Sequence, residues 1–590
     1  RDITSMREIF SYIVEQESAF KKPVPIENGW YWGFESHVQR SFLYKHSQFE
    51  EDNDNRAERP FKNIVRPMLN LQYRSEGFDV KDIDIYVDNA DTYYKSFLLR
   101  KYYQKWALKN EMDTFIDEVV ESFVDYGGVL VRKTKSVRPE VVDLRTIAFC
   151  DQTEILSGPF AIKHFFSPRD LMDMKKAGWG EIGATSTLES LIFKAEAAKK
   201  FRKDNEAIKT PGKYVEIYEL HNVSQMDIDP ISEDTTQMMY ICAFYEDETG
   251  KKQGVILFST PEPELPFKML KRDPIKGRAL GWGGVEELFE PQIWTNYAEI
   301  HIVGMLRQAS KVVYLSTDPR FKNQNIGTYD NGSILDIQPN ADIRQLDTVP
   351  RNLTAFENYV IEQHEHAMEM SSASDISLGQ QPNSGTPFKS VETQLVENKS
   401  LHLWRQGRIA VFIDEIHRDW IIPQLGREIV KGDKFLTELS SDELYEISQK
   451  LAISGANDRA KEAILSGKTI TPEEYEALKT FVATENLRAG SKRFVEILKD
   501  EFSGEKLQVS TNIAGKQKNL ALLTDKFVNV VRQIIATPNI RQDPELVKML
   551  NNILETSGIS PVGFASPIPQ PVTQGGNTEP LQALANAQQA

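Results

Sequence analysis

The stretch GRALGWGGVEELFEPQIWTNYAEIHIVGMLRQASK at 277–311 decides how the rest of the chain is read. Its apolar residues Val285, Leu288, Phe289, Ile293, Trp294, Tyr297, Ile300 and Val303 fall on more than half of a helix circumference. A helix that apolar has neighbours on at least two sides. Pro291 lacks an N–H and has a fixed φ, so it predicts a kink or a restart. GWGG at 281–284 resembles a glycine-rich loop, but it lacks GxGxxG spacing and a preceding strand, so it does not read as a dinucleotide site.

Downstream, VVYLST (312–317), GSILDI (332–337) and DIRQLDT (342–348) read as short strands around loop-rich NQNIGTYDNG. A second helix is expected from near Thr354, with Glu357 three residues on, to about Ser372. SLGQQPNSGTPFKS (377–390) follows, with two prolines, two glycines and almost no charge. Helix–helix links are usually far shorter, so this is a working loop or a linker. A third helix is predicted from about Ser390 to Ile422, where Pro423 should stop it. Some 33 residues at 1.5 Å rise would span roughly 50 Å. Residues 437–557 read as capped helices, with a Thr471-Pro472-Glu473-Glu474 capping box and others near 484–501, 515–536 and 543–557. Ser466-Gly467-Lys468-Thr469 reads as a helix end, because Glu462 stands where a phosphate-binding loop needs glycine. The last thirty residues are Pro, Gln, Ala and Gly-rich, a disordered composition.

Upstream, Ile3, Met6, Phe10, Ile13 and Val14 have helical spacing. EEDNDNRAER (50–59) is a charged, disorder-like patch, and 91–124 reads as two helices. GGVLVRKTK (127–135), EVVDLRTIAF (140–149), PFAIKHFF (159–166), YVEIYELHNV (214–223), MMYICAFYE (238–246) and QGVILFST (253–260) predict one mostly antiparallel sheet. A helix capped by Ser167, Pro168 and Asp170 interrupts it.

The 590 residues predict roughly three to five folding units. A formal net charge of −16 excludes DNA wrapping by a global basic surface. No apolar run approaches the ~20 residues needed to span a bilayer. Cys150 and Cys242 read as buried free thiols in a reducing compartment. His364 and His366, at i and i+2, point to different helix faces and do not chelate one metal well. No CxxC, GxSxG or complete phosphate-binding loop occurs, and no constellation argues for an enzyme.

The order of parts resembles the portal protein of tailed double-stranded DNA bacteriophages. The 277–311 stretch looks like the family's approach into its stem, with Asn296 in mid-helix. FVDYGGVLVRK (123–133) followed by VDLRTIAFCDQ (142–152) looks like its wing, and NLQYRSEG (70–77) its N-terminal approach. Leu144-Arg145 departs from the family's frequent Asp-Pro. The resemblance covers roughly 60–560, and the order of its motifs carries it more than any one of them.

It implies a predominantly helical α+β portal fold. Its parts would be an N-terminal region and wing (1–284), first stem helix (285–311), clip (312–350), second stem helix (351–376), tunnel loop (377–389), long wing helix (390–430), helical crown (431–558) and tail (559–590). It implies a homo-oligomeric ring, usually dodecameric, at one capsid vertex in the virion, assembled in the host cytoplasm. DNA would pass through its channel for packaging and ejection. Terminase and then head–tail adaptors would dock on the clip, and major capsid and scaffold proteins would join in assembly. No catalysis, cofactor, metal or membrane is implied.

In that frame Gln380, Gln381, Asn383, Phe388 and Lys389 would face DNA from the tunnel loop. Glu286, Glu287, Glu290 and Glu299 would make the stem wall acidic, and Arg320, Lys322, Asp330 and Asp336 would meet terminase or adaptor. A wall that lets DNA slide needs few phosphate-gripping cations, since each adds affinity by counterion release. Another non-enzymatic virion connector or scaffold ring is the alternative, and an unrecognised enzyme a lesser one.

Overall fold

Strands with apolar residues on both faces need cover on both sides. In the computed structural model the central run of the chain receives that cover. Residues 3–27, 29–50, 59–77, 80, 83–87, 93–134, 138–201, 214–228, 235–246, 251–311, 313–321, 337–346, 352–373, 388–431, 441–485 and 509–513 are described. Residues 1–516 form one compact unit and 517–590 another, the second wholly outside the described residues. So are the patch at 51–58, the expected helices beyond 485 and the tail. The fold is mixed α+β and mostly helical, with several small antiparallel sheets.

The chain opens with α1 (Ile3–Phe20), β1 (Val24–Glu27), β2 (Trp30–Trp32), α2 (Phe34–Lys45), α3 (Val65–Glu76), β3 (Ile83–Val87), α4 (Tyr93–Lys109) and α5 (Met112–Tyr126). Next come β4 (Gly128–Arg132), β5 (Glu140–Val142), β6 (Ile147–Phe149), β7 (Phe160–Phe166), α6 (Pro168–Asp173), α7 (Leu188–Phe201), β8 (Val215–Val223), α8 (Gln225–Ile228), β9 (Met238–Glu246), β10 (Lys252–Pro261) and β11 (Phe267–Lys271). The expected single sheet is two. One is a five-stranded meander, β10-β9-β8-β7-β6, and the other is β11-β4-β5. The split falls at the turn 144–146, where Asp143 caps a 3-10 turn and redirects the chain between β5 and β6.

Alternation along the strands explains the cover. On β8, Tyr218 and Leu220 join a core with Ile9 and Ile13 of α1. Val215 and Ile217 join another with Leu171, Leu188 and Leu191 of α6 and the start of α7. The Ser167–Asp170 capping box and Pro168 at the start of α6 are as expected. Cys242 is buried, which pushes its thiol up to about 12, and Cys150 is half-buried; both are unpaired.

The helical half comprises α9 (Gly284–Glu287), α10 (Phe289–Ala309), β12 (Val313–Ser316), β13 (Ile343–Leu346), α11 (Leu353–Met370), α12 (Phe388–Ile416), α13 (Ile422–Lys431), α14 (Ser441–Leu465) and β14 (Val509–Ile513). A largely helical core joins α3, α4, α5, α9, α12 and α13 through residues such as Met68, Tyr103, Phe115, Val285, Ile413 and Leu425. The helix break falls at Leu288, and Pro291 sits in the first turn of α10, where a missing N–H has no intrahelical partner to lose.

Pro423 does not stop the long helix. A π-turn at His417–Ile421 precedes it, and α13 continues through it to Lys431. A π-turn adds one residue to the helical ladder, so the carbonyl that would strike the proline ring is displaced. The second helix, α11, begins at Leu353 after Asn352, beside the expected start near Thr354. Residues 509–513, read as part of an all-helical stretch, form β14 and pair antiparallel with β3. Thr471 and Glu474 exchange the expected capping hydrogen bonds at the head of the helix 472–485. Gly467 (φ +84) ends α14, its N–H donating to Ile464 O.

Candidate functional site

Two features need explanation: a protruding helix pair and the buried junction at its root. Phe289, near the start of α10, and Ala367 and Met368, near the end of α11, join the same core. Farther out, the His301 ring stacks on Phe356, near the start of α11, at 5.7 Å. The helices therefore run out and back, antiparallel. Their 21 and 18 residues measure about 31 and 27 Å at 1.5 Å per residue. Between them β12 pairs antiparallel with β13, Val313 opposite Leu346.

The outward face of α10 is apolar and exposed. Trp294 and Tyr297 are 43% and 52% exposed, with Ile293 and Leu306 beside them. Trp294 meets Tyr297 edge-on at 5.8 Å, and Tyr297 meets His301 at 4.4 Å. Ile361 and Met370 of α11 are also exposed. Glu357, Glu362, Glu365 and Glu369 lie exposed on α11, which carries no lysine or arginine.

The root is a crossing of glycine backbones. Arg272 N–H and Gly281 N–H both donate to Gly127 O at 2.9 Å, and Trp282 N–H donates to Asp273 O at 3.1 Å. A Cβ on Gly281 would lie 1.4 Å from Arg272 O, and one on Gly127, at φ +77, 2.4 Å from Gly281 O. GWGG is thus a site of close backbone approach rather than of ligand binding.

Around the crossing lies a buried charge cluster. Arg405 of α12 donates to Glu287 Oε1 (2.7 Å) and, through Nε, to Asp273 Oδ2 (3.1 Å). Arg272 donates to Glu76 Oε1 (3.2 Å) and to Trp282 O, and lies 3.4 Å from Glu287. His402 Nδ1 meets Glu76 Oε1 at 3.1 Å. Burial pushes the Glu76 carboxyl up, but the His402 hydrogen bond, Arg272 and Arg405 outweigh it and hold it below its usual range. Alongside, Arg278 clamps Glu286 through both oxygens (2.9 and 2.8 Å) and stacks over Trp32 at 4.8 Å. His37 packs beside them, its imidazole lowered to about 4, chiefly by burial.

These contacts correct the expected acidic wall. Glu286 and Glu287 lie in α9, each neutralised by arginines, and Glu299 is bridged to Lys62 at 2.6 Å. Glu290 alone of the four is exposed and unbridged among the described residues. The exposed acids of the helix pair are instead the glutamates of α11. Arg320 pairs with Asp318 at 2.8 Å, and its hydrogen bond helps hold that carboxyl below the usual range. Lys322, Asp330 and Asp336 lie outside the described residues, as do Gln380, Gln381 and Asn383. Phe388 and Lys389 begin α12 rather than ending a loop. Among the described residues no group of three or more His, Cys, Asp or Glu could hold a metal ion, and no helix is long and apolar enough to cross a membrane.

The sequence reading missed Glu76, Arg272, Asp273, His402 and Arg405. Glu76 and His402 are 326 positions apart, and Arg405 and Glu287 are 118 apart, so no local spacing announces them. The local hint was the pair of arginines, Arg272 and Arg278, on the approach to GWGG. No family model and no curated protein matches this chain.

Proposed function

We propose that this chain is a subunit of the portal ring of a tailed double-stranded DNA bacteriophage. In this reading it is a non-enzymatic virion protein at one capsid vertex. The ring, dodecameric in the family, conducts DNA during packaging and ejection, docks terminase and then head–tail adaptors, and nucleates assembly with capsid and scaffold proteins.

The observation that supports it most is the α10–α11 pair. It is rooted in a buried core, measures about 30 Å along its helices toward a small sheet, and carries an exposed aromatic face. Exposed aromatics in a contiguous row favour a protein partner. A ring gives every subunit the same neighbour on each side, and a heterologous contact closes that way. The acid-only face of α11 suits a channel wall that DNA must slide past. The finer assignment of wing, stem, clip, tunnel loop and crown belongs to the same proposal.

Negative-stain microscopy and light scattering on the full chain test it. The expected result is a ring of identical subunits with a central channel. A monomer at every salt concentration, with no ring in micrographs, overturns the reading.

A further inference from the structure

β11 is an edge strand, with β4 as its one ladder partner among the described residues. Lys133 N–H donates to Pro266 O, and Arg272 N–H to Gly127 O. Bonded positions alternate in an antiparallel ladder, so Pro266, Lys268, Leu270 and Arg272 turn their backbone groups toward β4. Phe267, Met269 and Lys271 turn theirs outward; Phe267 is buried, so the accessible part of that row is Met269 and Lys271. Among the described residues no backbone group pairs with that outer row.

Beside the strand runs a groove of about 530 Å³, with Met269 and Leu270 on one wall and Leu403, Trp404, Gly407 and Arg408 of α12 on the other. Leu403 and Trp404 are 52% and 54% exposed. Gly407 is inside a helix, where glycine is less favourable than alanine. A Cβ there would meet nothing within 4 Å, so packing inside the chain does not require glycine. It leaves a low stretch of wall over which another backbone can pass closely.

The charges select the occupant. Lys268 and Lys271 are bridged to Asp419 and Glu154. Arg408 lies over the Trp404 ring at 5.4 Å, with no carboxylate partner among the described residues. Glu415, two helical turns along α12, closes the far end of the groove.

We propose that the groove is a strand-addition site for an extended segment of a partner protein, one with alternating apolar and acidic residues. Its backbone pairs with the outer row of β11. Its apolar side chains enter the groove over Gly407, and a carboxylate meets Arg408. Main-chain pairing supplies affinity and the pockets supply selectivity. The site does not depend on ring formation.

Fluorescence anisotropy on the full chain tests this with three labelled peptides of about nine residues, the length of a long strand. One alternates Val and Glu, one alternates Val and Lys, and one is the Val–Glu peptide N-methylated at alternate positions. The Val–Glu peptide should bind roughly tenfold more tightly than the Val–Lys peptide, and N-methylation should abolish binding. Gly407→Trp should block the groove, and Arg408→Glu should reverse the charge preference. Arg408→Glu changes a surface side chain, so it keeps the test decisive if Gly407→Trp does not fold. Equal binding of the N-methylated peptide overturns the proposal, as does indifference to Arg408→Glu. Self-association that Gly407→Trp blocks would place a second copy in the groove and overturn it too.

Discussion

Arg405 on α12 donates from Nη2 to Oε1 of Glu287 in α9 across 2.7 Å, and both side chains are buried. This bond ties the long helix to the base of the protruding pair. Glu76, Asp273 and Glu287 share two arginines, Arg272 and Arg405, with His402 as a further partner of Glu76 and Gln72 of Glu287. Arg405→Met should lower the unfolding free energy by roughly 3–5 kcal/mol, because it strands buried carboxylates. Urea unfolding measures it. A loss below about 1 kcal/mol, the range of exposed pairs, would show that water reaches the cluster.

The glycine crossing predicts opposite effects of one substitution at two sites. Gly281→Ala puts a Cβ 1.4 Å from Arg272 O, so two backbones must separate. The protein should lose several kcal/mol, on the order of the largest single-site effects. At Gly304, inside α10, a Cβ meets nothing within 4 Å. Gly304→Ala should stabilise by about 1 kcal/mol through helix propensity. Thermal unfolding of both variants checks the pair.

Acid should destabilise through two buried histidines. His37 and His417 are each lowered to about 4, mainly by burial. Unfolded histidine titrates near 6.5, so from about pH 6.5 down to about 4 the unfolded chain binds more protons. Stability then falls with pH by up to roughly 1.4 kcal/mol per unit for each histidine. His221 acts with the opposite sign. Burial lowers it, but hydrogen bonds to Glu219 and Glu262 outweigh that and raise it. Its contribution is complete below about pH 6.5 and is lost as pH rises through its folded value. His417→Gln should flatten the acid limb of a stability–pH profile and leave the alkaline side unchanged. An acid limb as steep as the parent's would refute the assignment for His417.

The aromatic face of α10 should govern assembly rather than folding. Trp294→Ser with Tyr297→Ser removes two half-exposed rings whose contacts within the chain are few. The unfolding midpoint of the dissociated subunit should move by less than about 1 kcal/mol equivalent, as for surface changes. The proposed ring should dissociate in this variant at concentrations where the parent's holds together. Unchanged mass by light scattering would mean that the face is not the subunit contact.

Periodicity and caps made much of the architecture legible. The spacing in 277–311, the Ser167 and Thr471 caps and the apolar runs each report a local preference, and the elements formed where expected. What failed was non-local. β14 pairs with a strand more than 400 positions away, which no window reveals. Pro423 looked like a stop because the π-turn that accommodates it has no simple sequence mark. Glu286 and Glu287 looked like surface acids because their arginines, Arg278 and Arg405, come together with them only in the fold.

By itself, then, the sequence determined the class of fold, the order of its elements and the multi-sided apolar helix at 289–309. Those follow from backbone hydrogen bonding and side-chain periodicity, which act over a few residues. Only the tertiary structure decided which charges are neutralised, why GWGG is glycine and where an open strand edge lies beside a groove. Burial and close approach join residues hundreds of positions apart, and their energies depend on distance in space rather than along the chain.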